Sequence, residues 1–265
     1  MQDAAPNLPF FQRSLKTLNL TTGETIQVPV KYWESKAISA MFWVEYDSIS
    51  PLVKGLQVIK FPQNRALLTV AFFTYGKTTI NPYNECGISV AVAPKGAQIP
   101  EFPLVALNLP SAMQTIGQCN LNLPVSTDLA CRAGVEIVDF PKFVANIDYE
   151  RMGNHFTGHV FDPMNPNDKM VTLKGEFGTL TTGTWPDLVL LHDRNGRTYR
   201  VVTEAAKDQL AYQSTAGTFQ LSWSQTSTHP MARNLGLLKF IDTKPFAVNF
   251  IDDVYILFNE GVYID

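Results

Sequence analysis

The 265-residue chain has little that would announce a metal, a disulfide framework or a charged partner. Its three cysteines, Cys86, Cys119 and Cys131, are odd in number and show no CxxC spacing, so neither a disulfide framework nor a thiolate zinc site is indicated. Small core residues are the plainer reading. Arginine and lysine together (21) fall short of aspartate and glutamate (24), and the net charge of -3 gives no basic field that would favour nucleic acid or an anionic membrane surface. No apolar run of about 18 residues is present, so no membrane-spanning helix is expected. The start, MQDAAPNLPFF, has no basic segment followed by an apolar one; a cytoplasmic protein is the default expectation, with secretion after removal of a leader left open. The seventeen prolines and sixteen glycines are scattered and mark no linker, which leads us to expect a single domain over residues 1–265.

What the chain does have is strand. TFQLSWSQ places Phe219, Leu221 and Trp223 on one face with polar residues between them, the period of a half-buried strand. DLVLLHDRNGRTYRVV reads as a hairpin, with Asn195-Gly196 supplying the positive φ angles of its turn. RALLTVAFFTYG and GISVAVAP are near-continuous apolar runs, expected for strands covered on both faces, and PFAVNFIDDVYILFN adds another strand. Helices look few and short: DSISPLVKG, HPMARNLGLLKF and STDLACRAG, the last capped by Ser126 or Thr127 and stopping at Gly134. A mainly β fold is expected, its antiparallel strands closed into a barrel or cone because so many apolar strands would otherwise leave open edges.

One residue does not fit the apolar pattern. EIVDFPKFVANI lodges Lys142 among Ile137, Phe140, Phe143 and Val144. Either the lysine snorkels to water from a strand edge, or it is there for chemistry. Only a neutral amine attacks a carbonyl, and an ordinary lysine is neutral in about one molecule in 2,500 at pH 7. Apolar surroundings of this kind favour the neutral form. His155 and His159 share one strand face, which could begin a metal site, but no third ligand accompanies them.

Two stretches, NPYNECGISVAV and LPVSTDLACRAGVEIVDFPKFVANI, together resemble the acetoacetate decarboxylase family. There a Tyr-x-Glu segment opens a strand and a Gly-Arg-Glu segment leads to an aromatic-Pro-Lys. Here these stand as Tyr83-Asn84-Glu85, Gly134-Val135-Glu136 and Phe140-Pro141-Lys142. HPMARNLGLL and AVNFIDDVYILF are similar to the family's C-terminal segment, so the likeness spans most of the chain.

The resemblance implies a cone-like barrel around an apolar cavity, in a homo-oligomer, and a lyase in which Lys142 forms a Schiff base with a carbonyl or keto-acid substrate. Glu85 becomes the proton-handling group. Tyr83, Phe140, Phe143, Tyr75, Glu136, Met231 and Arg233 are candidates for the pocket wall. For Glu136 a structural partnership with a backbone amide or an arginine is the stronger reading, and His229 is read as a helix-entry residue. No metal or organic cofactor is implied.

The chain departs from the family pattern. Phe143 stands where a second lysine is usual, Val135 replaces an arginine, and Asp139 replaces a glycine. LLTVAFF holds no acid, and near WESKAISA only Lys36 is basic. These losses of charge point toward a larger, less charged carbonyl compound than acetoacetate, and to aldol, dehydration or cyclisation chemistry beside decarboxylation. A non-catalytic barrel that binds a small ligand is the alternative.

Overall fold

The computed structural model describes residues 5–215 and 217–264; the first four residues of the N-terminal stretch lie outside it. In chain order the strands are β1 (Lys16–Asn19), β2 (Thr25–Val28), β3 (Val30–Glu45), β4 (Leu56–Val58), β5 (Arg65–Thr78), β6 (Tyr83–Pro94), β7 (Gly117–Val125), β8 (Lys142–Val144) and β9 (Ile147–Met152). They continue with β10 (His155–Asp162), β11 (Asn165–Glu176), β12 (Leu180–Gly183), β13 (Leu188–Arg194), β14 (Arg197–Ala205), β15 (Ala211–Ser214), β16 (Gln220–Trp223), β17 (Ala247–Phe258) and β18 (Val262–Ile264). The helices are α1 (Tyr46–Ile49), α2 (Pro103–Ala106), α3 (Asp128–Val138) and α4 (Pro230–Leu237).

The largest sheet closes on itself. Its strands run β17-β3-β5-β6-β7-β13-β14, and β14 pairs back onto β17 through Thr203↔Phe258 to Ala205↔Ile256. Closure removes the edges that these apolar strands would otherwise expose. The Asn195-Gly196 turn joins β13 to β14 with both φ angles positive, as its sequence requires. Most ladders are antiparallel; β7 pairs in parallel with β8 and with β13.

Alternation sends the two faces of the ring to different places. On β3, β5 and β6 the even-numbered Phe42, Leu68, Phe72, Ile88 and Val90 join a dry core with Phe156, Leu173 and Phe219 of the four-stranded sheet β16-β11-β10-β9 and its flank. The odd-numbered Ala71, Phe73, Tyr75 and Tyr83 face the inside of the ring, with α3 packed among them. At one level the alternation changes phase, so that Tyr32 also faces inward. Glu34 there has φ 54, Gly76 lets the Glu34 carbonyl approach to where a Cβ would be 2.6 Å from it, and Asp252 and Asp253 are left exposed outside the ladder.

Helix α3 corrects the sequence reading at its C-terminus. It starts at the expected cap, Thr127, whose hydroxyl accepts from the Ala130 amide, but it does not stop at Gly134. The stop is Asp139, which takes the left-handed conformation (φ 56), so that the Asp139 and Phe140 amides donate to the Val135 and Gly134 carbonyls. His229 caps α4, its Nδ1 accepting from the Met231 amide. Among the described residues, no helix is long and apolar enough to cross a membrane.

Candidate active site

The left-handed Asp139 ends α3 and reverses the chain, Phe140 plugs into the ring against Phe258 at 5.9 Å, and Lys142 begins β8 opposite Leu123. The Lys142 stem then runs back across α3. A Cβ on Gly134 would lie 2.3 Å from Lys142 Cδ and 2.5 Å from Cε, so only glycine leaves room for this path. The glycine that looked like a helix stop is a slot for the lysine.

At the end of that path Lys142 Nζ donates to Glu85 Oε2 at 2.7 Å, with the two side chains only 6% and 10% exposed. Glu85 sits on β6 between Phe73 of β5 and Val125 of β7. Its other oxygen, Oε1, accepts from the Tyr75 hydroxyl at 3.2 Å. Tyr83 lies beneath the amine, its ring centre 5.7 Å from Nζ, and its hydroxyl meets that of Tyr32 at 3.1 Å. The three phenol rings pack against one another with centres 4.6 to 6.2 Å apart. Burial, with the nearby Glu85 charge and neighbouring tyrosines adding to it, raises the Tyr75 and Tyr83 hydroxyls well above the ordinary phenol range, and burial raises Tyr32 too. They therefore act as neutral hydrogen-bond groups.

These residues line one end of a cavity of about 130 Å³ enclosed by the ring, α3 and the Leu104–Asn108 segment. Lys142 and Glu85 are the only charged side chains on its described wall. Asp139 is exposed rather than part of that wall.

Of the residues expected from sequence, Lys142, Glu85, Tyr83, Tyr75 and Phe140 meet at the cavity. Phe143, Glu136, Met231 and Arg233 do not, which corrects their assignment to its wall. Phe143 follows Lys142 on a strand and so points to the opposite face, where its ring lies 4.4 Å from that of His229. Glu136 turns to the N-terminal segment and accepts from the Thr21 amide at 2.7 Å and its hydroxyl at 2.8 Å. Met231 is fully buried in the core outside the ring, and Arg233 is exposed on α4. His155 and His159 bond to Thr157 and Thr172 instead of converging on an ion, and no group of three potential ligands occurs among the described residues.

The sequence reading passed over Tyr32, Ser39, Thr69, Ser89 and Asn120, all on the cavity wall. A signal for Thr69 was present: in RALLTVAFFTYG it shares its alternation with Phe73 and Tyr75.

The profile of the family described as acetoacetate decarboxylase (ADC) matches residues 18–254. No curated protein matches the chain. Among solved structures, it is similar to an acetoacetate decarboxylase from Legionella pneumophila, with 12% identity, TM-score 0.62 and coverage of 89% of this chain and 87% of that one. It is also similar to the enduracididine biosynthesis enzyme MppR complexed with pyruvate, with 13% identity, TM-score 0.64 and coverage of 96% and 99%. An acetoacetate decarboxylase-like enzyme from Sphingomonas wittichii RW1 shares 9% identity at TM-score 0.60, over 92% of this chain and 97% of that one. Identities this low speak for the fold alone, whereas the profile match runs through nearly the whole ring and both segments that build the lysine–glutamate pair. The chain belongs to the acetoacetate decarboxylase family.

Proposed function

We propose that Lys142 forms an imine with a carbonyl substrate that carries no carboxylate beside the reacting carbon, and that Glu85 moves the protons. The observation that carries this reading is the buried Lys142–Glu85 pair at 2.7 Å on a cavity wall with no other charge among the described residues. A β-keto acid would bring a second carboxylate next to Glu85, with the single positive charge on the Lys142 nitrogen, as ammonium or as iminium, to balance both. An unpaired carboxylate in such a site carries a penalty of several kcal/mol. A neutral ketone or aldehyde avoids it.

The chemistry follows from the distances. Nζ passes a proton to Glu85 Oε2 and attacks the carbonyl carbon. Two of the three protons that an ammonium carries leave with the carbonyl oxygen as water, and the third stays on the iminium nitrogen. The Glu85 carboxylate then takes a proton from the adjacent carbon; the C–H pair becomes a C=C bond and the C=N pair moves onto nitrogen, which gives an enamine. Tyr75 holds Glu85 through Oε1, leaving Oε2 to face the amine. The enamine is the species that aldol, dehydration or cyclisation steps require. The fold relative MppR has been seen with pyruvate and with a condensation product of pyruvate, which supports carbonyl condensation as work this fold can host.

Exchange of the α-protons of butanone with deuterated water, followed by NMR, tests the reading. We expect enzyme-dependent exchange that disappears in Lys142→Ala and slows about 10²-fold in Glu85→Gln, the usual range for losing a positioned acid or base. Acetoacetate should be decarboxylated with kcat/KM below about 10⁴ M⁻¹s⁻¹. Undiminished exchange in Lys142→Ala, or efficient acetoacetate decarboxylation, would overturn it.

A further inference from the structure

The cavity wall is laid out in rungs. Same-face positions recur every second residue, about 6.6 Å along a strand, and the register between β5, β6 and β7 stacks them in order. Phe73 pairs with Glu85, then Ala71 with Gly87, then Thr69 with Ser89, which is in turn paired with Asn120. The first rung holds the reacting pair. The second is nearly bare, since a Cβ on Gly87 would meet only Leu123 Cδ1 at 3.4 Å and Asn120 Oδ1 at 4.0 Å. The third is polar, and Ser39 and Asn249, paired across β3 and β17, add a hydroxyl and an amide beside it.

The polar groups at this end are neutral and unspent. Thr69 and Ser39 are only 6% and 8% exposed, yet their hydroxyls have no hydrogen-bond partner among the described residues, and neither do the Asn120 and Asn249 side-chain amides. Ser89 donates to Gln118 Oε1, which leaves the serine oxygen free to accept and the Gln118 amide free to donate. None of these unpaired atoms is sealed inside the protein, and Asn120 and Asn249 are half-buried, so the groups open onto the cavity, where a few convergent polar groups among apolar walls are what fixes a ligand's orientation. No cation stands among them, so an anionic tail would be desolvated without compensation.

We propose that the Thr69–Ser89–Asn120 rung binds the far end of the substrate, and that this end is a neutral hydroxyl or carboxamide. The substrate class is then an elongated ketone or aldehyde with its carbonyl at Lys142, an apolar middle lying over Ala71 and Gly87, and a neutral hydrogen-bonding tail about 13 Å further along β6. The assignment of the carbonyl end rests on the imine reading above; the tail site rests on the rung itself.

The test is isothermal titration with three methyl ketones of matched chain length, ending in a carboxamide, a methyl group and a carboxylate. The carboxamide is expected to bind about 10-fold tighter than the methyl-ended ketone, and the carboxylate to bind no better than the methyl-ended one. Thr69→Val, which keeps the shape of the side chain, and Ser89→Ala should each bring the first ratio toward one. Equal affinities, a preference for the carboxylate, a preference that survives both substitutions, or no binding of any of the three would overturn the proposal. Borohydride added to the same mixtures keeps the two readings apart: retained carboxamide preference without a trapped adduct contradicts the imine while upholding the tail site.

Discussion

Phe72 and Phe73 are neighbours on β5 and belong to different regions of the molecule. Phe72 is fully buried outside the ring, 5.9 Å from Phe156 and close enough to Gly158 that a Cβ there would come within 2.9 Å of its ring. Phe73 stands on the inner wall, stacked on Tyr75 at 5.7 Å, beside a cavity. The outer face is packed to capacity; the inner face leaves space and holds a buried ion pair. The difference shows how one set of strands divides its labour: one face holds the fold together while the other lines a cavity at some expense in packing.

The sharpest way to break this comparison is to truncate both neighbours. Phe72→Ala is expected to cost about 3–5 kcal/mol in denaturant unfolding. Phe73→Ala, which enlarges a space already present, is expected to cost about 2 kcal/mol or less. Equal losses would mean that the inner face carries as much of the stability as the outer.

The ion pair gives the next largest effect. Lys142→Met alone leaves the Glu85 carboxylate buried with only Tyr75 as partner, a loss of about 3 kcal/mol. In Lys142→Met/Glu85→Gln both charges are gone, and most of that loss should be recovered. A double variant less stable than the single would show that the pair contributes to the fold in its own right.

Gly134 separates helix propensity from site geometry. In an exposed helix, glycine to alanine is worth about 1 kcal/mol of stabilisation. Here Gly134→Ala should instead destabilise by about 1–3 kcal/mol, because the new methyl overlaps the Lys142 stem, and butanone exchange should fall with it. A more stable variant with normal exchange would remove the slot from the account.

The smallest effect lies in the alkaline limb of stability. Tyr32, Tyr75 and Tyr83 hold their protons above the ordinary phenol value in the folded state, chiefly through burial. The folded protein therefore binds protons that the unfolded chain releases, so this contribution is complete below about pH 10 and is lost as pH rises toward the folded values. Unfolding at fixed denaturant should rise with pH in that range, and Tyr32→Phe should flatten the rise. An identical slope in the variant would show that Tyr32 titrates as an ordinary phenol.

Much of this division is written in alternation. Period two in RALLTVAFFTYG and GISVAVAP separates core from cavity once the ring is known to close, and the aromatic-Pro-Lys segment marks the lysine. The same alternation places Phe143 opposite Lys142, although residue type alone suggests a pocket wall. What the sequence hides is the third dimension. The Gly134 slot is visible only when β8 folds back on α3, since within the chain a glycine reads as a helix stop. The Thr69–Ser89–Asn120 rung depends on the register of three strands, with a shift between Ile88 and Ser89 that no local pattern reveals.

The central claim is that Lys142 is the nucleophile, and reductive trapping tests it most directly. Borohydride added to the protein with a neutral ketone should raise its mass by one reduced substrate adduct, and peptide mapping should place that adduct on Lys142, with none in Lys142→Met/Glu85→Gln. An adduct on any other lysine, or one that persists in the double variant, would contradict the account.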